Sequence, residues 1–129
     1  MGTTPHETGA ELMTGTTAQA AAQDTWREVI AWLVKAADVG YPAAEANPAL
    51  HSTALGARLM AASAVELLPP ELDHLLDDVV LEPRTESMSM AELIAAAEAA
   101  TRRHPIEELP VGASRVIVDI CDLVRETSQ

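Results

Sequence analysis

Ala113-Ser114-Arg115-Val116-Ile117-Val118-Asp119-Ile120-Cys121-Asp122-Leu123-Val124 decides whether this chain is all-helical or carries a sheet. Its middle, Arg115 to Ile120, is dense in β-branched residues and reads as a strand by propensity alone. The longer pattern overrides that reading. Ala113, Val116, Ile117, Ile120, Cys121 and Val124 recur at three- and four-residue intervals over three turns, the period of a helix with one apolar face. A strand here would also lack an obvious partner elsewhere in the chain. The segment is therefore expected to be the last helix of an all-α protein.

Four more segments carry the same signature. Ser89-Met90-Ala91-Glu92 has capping-box spacing and opens a helix that must end before His104-Pro105. Its inner face is Leu93, Ile94, Ala97 and Ala100, with Glu98 and Arg102 as an outer i, i+4 pair. Met88 is placed to fold back on Leu93 as a hydrophobic staple. Upstream, Pro69-Pro70 introduces Leu72, Leu75, Leu76, Val79 and Val80, a full match to the amphipathic template, closed by Glu82-Pro83.

Asn47-Pro48 reads as an N-cap with proline in the first helical position, for a helix continuing to Leu68. Leu50, Ala54, Ala57, Ala61, Ala64, Val65 and Leu68 line one side of it, while Leu55 and Leu59 point nearly opposite. A helix apolar on two sides is expected at the centre of a bundle. The first helix spans about Thr17 to Val39, with capping-box spacing at Thr16 and Gln19 and Gly40 as its stop. Trp26, Val29, Ile30, Leu33 and Ala37 form its apolar face, and Trp32 falls toward the edge. Residues 1–16, rich in Gly, Thr and Pro, are expected to be a flexible tail. The expected fold is thus a compact four- or five-helix bundle, a single helical domain over 17–129 with a disordered N-terminal tail.

Composition bounds the function. Apolar residues are 48% of the 129, but aromatics only 2%, so the core must be built from Leu, Val, Ile and Ala. Alanine is the commonest residue, which also fits a high-GC bacterial coding bias. Eight Lys+Arg against 20 Asp+Glu give a net charge of −12, which argues against binding nucleic acid or anionic membrane. Arg102-Arg103-His104, the one basic cluster, is too small for a nucleic-acid patch. There is no apolar run of membrane-spanning length and no signal-peptide pattern, so a cytoplasmic protein is expected. Cys121, the single cysteine, cannot form an internal disulfide. Beside Ile117, Ile120 and Val124 it is expected to be a buried, inert thiol.

No complete catalytic constellation is evident, nor any phosphate-binding glycine loop, nucleophile elbow or zinc pattern. Glu71 and His74 have the Glu-x-x-His spacing of carboxylate-bridged metal bundles. One such motif is only half a site, and an acid in a first turn is expected from the helix dipole alone. No metal and no cofactor is therefore expected. Asp77, Asp78 and Glu82 form an acidic cluster that reads as a solvated face.

Two functions of different class follow. The first is a non-catalytic, acidic accessory or regulatory protein that works by protein–protein interaction and is homodimeric, resting on the two-sided second helix and on Trp32. The alternative is a small-molecule binder or small enzyme with a pocket between helices. Trp26, Trp32 and Tyr41 would form its apolar wall, and His51, His74 or His104 would supply polarity or a general base. Two histidines converging on one cavity would favour it.

Overall fold

The structure is a computed structural model that describes the backbone of residues 3–69 and 87–127, and side chains from Ala18 onward within those ranges. The described residues form four α-helices and one short 3-10 turn, with no strand among them. Helix α1 spans Thr3–Ala43, α2 Leu50–Glu66, α3 Met90–Thr101 and α4 Ala113–Thr127, with the 3-10 turn at Ile106–Glu108. The stretch that resembled a strand is helical throughout. Val116, Ile120 and Leu123 are buried, with Ile117 and Val124 packed beside them.

Inter-residue contacts define the topology. Trp26 of α1 meets Ala64 near the end of α2, whereas Gly40 of α1 meets Ala54 near its start, so the two helices run antiparallel. Gly40 also meets Met90 at the start of α3, and Glu28 meets Arg103 just past its end, so α3 is antiparallel to α1 as well. Gly56 faces Leu123, and Leu67 faces Gly112, which runs α4 antiparallel to α2. Helix α1 packs chiefly on α2 and α3, and α4 closes the opposite side against the same two helices. The four described helices pack as a bundle, with α1 and α4 parallel across one diagonal and α2 and α3 parallel across the other.

Several expected boundaries move, each for a physical reason. Helix α1 begins at Thr3 instead of Thr17, so its backbone runs through the segment expected as a tail, although the described core starts only at Ala22. It also continues through Gly40 to Ala43, with Pro42 in its last turn. Gly40 is a packing residue, not a stop. A Cβ there would collide with the Met90 sulfur and lie 2.8 Å from the Ala54 Cβ, so only glycine lets the three helices come this close.

Asn47 does not cap an α-helix directly. The chain tightens into i→i+3 bonds, Leu50 N–H to Asn47 O and His51 N–H to Pro48 O, and the α-helix starts two residues later than expected. The Asn47 side chain still accepts from the Ala49 N–H at 3.3 Å. The expected helix over residues 71–82 lies outside the described residues.

Among the described helices the centre of the bundle is α1 rather than the expected α2. Trp26, Val29, Ile30, Leu33, Ala36 and Ala37 are all buried, as is Trp32, because α1 presents one face to α2 and another to α3. Helix α2 buries one side, at Thr53, Ala54, Ala57, Ala61 and Ala64. Its Leu55 and Leu59 remain exposed. By contrast, α3 matches its expected inner face, with Leu93, Ile94, Ala97 and Ala100 buried. Both halves of its Ser89–Glu92 capping box form, at 3.2 and 3.1 Å.

Two alanine substitutions separate crowding from helix propensity. Gly40→Ala should destabilise the fold by about 1–3 kcal/mol through overpacking. Gly56→Ala, whose new methyl would meet only the Leu123 methyl at 3.4 Å, should instead stabilise it by about 0.5–1 kcal/mol. Urea unfolding of both variants checks the contrast, and equal effects would refute the close approach at Gly40.

Candidate functional site

The polar groups of the bundle gather where the end of α3 returns to α1. After Thr101 the chain leaves the helix through Arg102, Arg103 and His104, and Pro105 prevents its continuation. Arg103 forks onto Glu28 of α1, at 2.5 and 3.2 Å. Glu28 also accepts from the Trp32 indole N–H at 3.3 Å, so the edge tryptophan is held inside rather than presented to a partner. Trp32 is 6% exposed, which removes it as a dimer contact or pocket mouth.

His104 occupies the centre of this junction. Its Nε2 lies 2.9 Å from the Thr25 hydroxyl, and its Nδ1 lies 3.4 Å from the Glu108 carboxylate on the 3-10 turn. A hydroxyl, an imidazole and a carboxylate in line have the order of a nucleophile, its base and an orienting acid. The setting at Thr25 argues for a structural tie. Thr25 is 8% exposed and lies inside α1, where backbone N–H groups are committed to the helix and cannot cradle a developing oxyanion. The contact joins residues 79 positions apart, and no local pattern in the sequence announces it.

A cleft of about 310 Å³ opens beside this junction, lined by Glu98, Thr101, His104, Ile106, Ile117 and Cys121 among others. Cys121 is half-buried rather than buried, and its thiol points at Glu98 from 3.8 Å. The same carboxylate pairs with Arg102, as the i, i+4 spacing predicts. A second cleft of about 560 Å³ lies between α1, the end of α2 and the loop before α4. Its apolar lining is Leu67, Leu68, Pro69, Leu109, Pro110 and Val111.

The described residues among those expected to share a pocket do not gather at one cleft. Trp26 is fully buried and donates its indole N–H to the Ala64 carbonyl at 3.0 Å. Neither tryptophan nor Tyr41 lines either of these two clefts. His51 is exposed at the start of α2, edge-on to Tyr41 with ring centroids 5.7 Å apart. Tyr41 lies sixteen residues along α1 from the threonine that holds His104, about 24 Å of helix axis. His51 and His104 therefore do not converge. Glu71, His74, Asp77, Asp78 and Glu82 lie outside the described residues. Among the described residues, no three His, Cys, Asp or Glu side chains are grouped to hold a metal ion, and no helix is long and apolar enough to cross a membrane.

The remaining feature is the outer face of α2. Leu55 is 43% and Leu59 60% exposed, one turn apart, with Ala62 exposed on the next turn. His51 stands at one end of the stripe and Glu66 at the other. These leucines suggested a central helix from sequence. With α1 taking the centre, the same apolar stripe faces outward. Comparison with known proteins adds no assignment: no family model, curated protein or solved structure matches the chain.

The structural role of His104 has a direct check. His104→Ala and Thr25→Val should each lower stability, and the double variant should recover about 0.5–1.5 kcal/mol relative to their sum. Additive losses in urea unfolding would show that the pair does not interact.

Proposed function

We propose that this chain is a non-catalytic helical interaction protein that self-associates through the outer face of α2 as a homodimer and serves another protein as an accessory or regulatory partner. Leu55 and Leu59 carry the proposal. Two exposed leucines one turn apart, on a helix whose inner face already packs on the core, are an apolar stripe without a partner among the described residues.

The stripe is self-complementary, which favours a second copy over an unrelated protein. An antiparallel pairing about a two-fold axis between Arg58 and Leu59 would set the two copies of Leu59 side by side near its centre, each level with the Arg58 of the second copy. Leu55 then lies opposite Ala62, whose small side chain permits close approach, and His51 lies opposite the Glu66 of the second copy. Arg58 already has a neighbour in Asp38 at 3.8 Å, so its charge is compensated beside the contact. An α2 of 17 residues offers only about 25 Å of helix, so the association is expected to be reversible and concentration-dependent. The acidic surface and the free thiol fit the cytosol, where thiols stay reduced.

Sedimentation velocity across a concentration series tests this. The chain should pass from monomer to dimer, and Leu59→Glu should raise the dimer dissociation constant by about tenfold or more while its helical circular dichroism is unchanged. A monomer at every concentration, or a dimer indifferent to Leu59→Glu, would refute it.

A further inference from the structure

The cleft between α1, the end of α2 and the loop before α4 has a chemistry the α2 stripe lacks. Its floor is apolar, with Val111 95% exposed at the tip of the Pro110–Gly112 turn. Glu107 and Glu108 form its rim, Glu66 stands at its α2 edge, and Gln19 and Gln23 line the α1 wall. Among the described residues no lysine or arginine lines it. The C-terminus of α2 ends at the same cleft, and its last turn carries no basic residue, so no side-chain cation of that helix offsets the negative end of its dipole there. Carboxylates and dipole therefore give the rim the same sign, over a surface suited to hydrocarbon.

We propose that this cleft binds a basic, amphipathic peptide segment of a partner protein, an arginine or lysine at the carboxylate rim with a neighbouring apolar side chain on the Leu67–Leu109–Val111 floor. The long methylene stem of such a side chain suits an apolar floor beneath a charged rim. A volume of about 560 Å³ accommodates one or two side chains of an extended peptide. The chain's net charge of −12 draws a basic segment toward it over distance, while the floor gives the specificity that charge alone does not. The inference rests on the reading as an interaction protein, but uses a surface other than the Leu55–Leu59 stripe.

The probe is a blocked tetrapeptide alternating leucine and arginine, titrated into the isotopically labelled full chain while backbone amide shifts are followed, with a glutamate-for-arginine peptide as control. Expected are saturable shifts confined to Gln19, Gln23, Leu67, Leu109 and Val111, none with the acidic control, and affinity reduced severalfold in Glu107→Lys and in Val111→Asp. Binding should persist in Leu59→Glu, so a failure of the dimer and a failure of this site are separately visible. Shifts scattered over the acidic surface, or affinity unchanged in both cleft variants, would overturn the proposal. Contacts to the cleft from residues 70–86 or from a second copy in the peptide-free protein would overturn it as well, by naming another occupant.

Discussion

The indole N–H of Trp26 has to find an acceptor inside a core built almost wholly from Leu, Val, Ile and Ala. A buried donor left unpaired costs about 1–3 kcal/mol, and the side chain is the largest of the fully buried ones. It is satisfied by the Ala64 carbonyl, in the last turns of α2, which places the end of that helix beside the middle of α1. At the other end, Gly40 permits contact with both Ala54 and Met90. One hydrogen bond and one missing side chain thus set the register of α1 with its neighbours, and α4 follows by filling the remaining side.

The outward face of α2 is a consequence of that arrangement. Because α1 is fully occupied on two sides, including Trp32, the bundle does not need a second two-sided helix. The apolar surface of Leu55 and Leu59 is left to solvent or to a partner. The His104 junction is the polar counterpart of the core. It ties the end of α3 and the 3-10 turn to α1 through Thr25, Glu28, Arg103 and Glu108, and positions the two clefts that flank it.

How much of this was legible in sequence differs element by element. Helix type was readable wherever period and capping agreed, as at Ser89–Glu92 and along Ala113 to Val124, because both signals are local. Helix ends were less so: Gly40 carries the same residue type whether it stops a helix or lets two others approach it, and only the positions of Ala54 and Met90 distinguish the cases. The identity of the central helix was misjudged for a similar reason. Apolar residues on two faces of α2 state that it can be covered twice, not that one chain supplies both covers. The Thr25–His104 and Glu28–Arg103 contacts join distant positions by side-chain reach alone and leave no periodic trace. The cleft at the end of α2 depends on loop geometry around Pro110 and Gly112, where Gly112 adopts a positive φ of 94°, and so was equally unreadable.

Native-state hydrogen exchange followed residue by residue tests the central position of α1 most directly. Amides from Trp26 to Ala37 should exchange only through global unfolding, with an opening free energy equal to that from urea denaturation, and those on the solvent side of α2 should open more easily. If instead α2 were the most protected element and α1 opened in a separate, lower-energy event, α1 would not be the element around which the bundle is built.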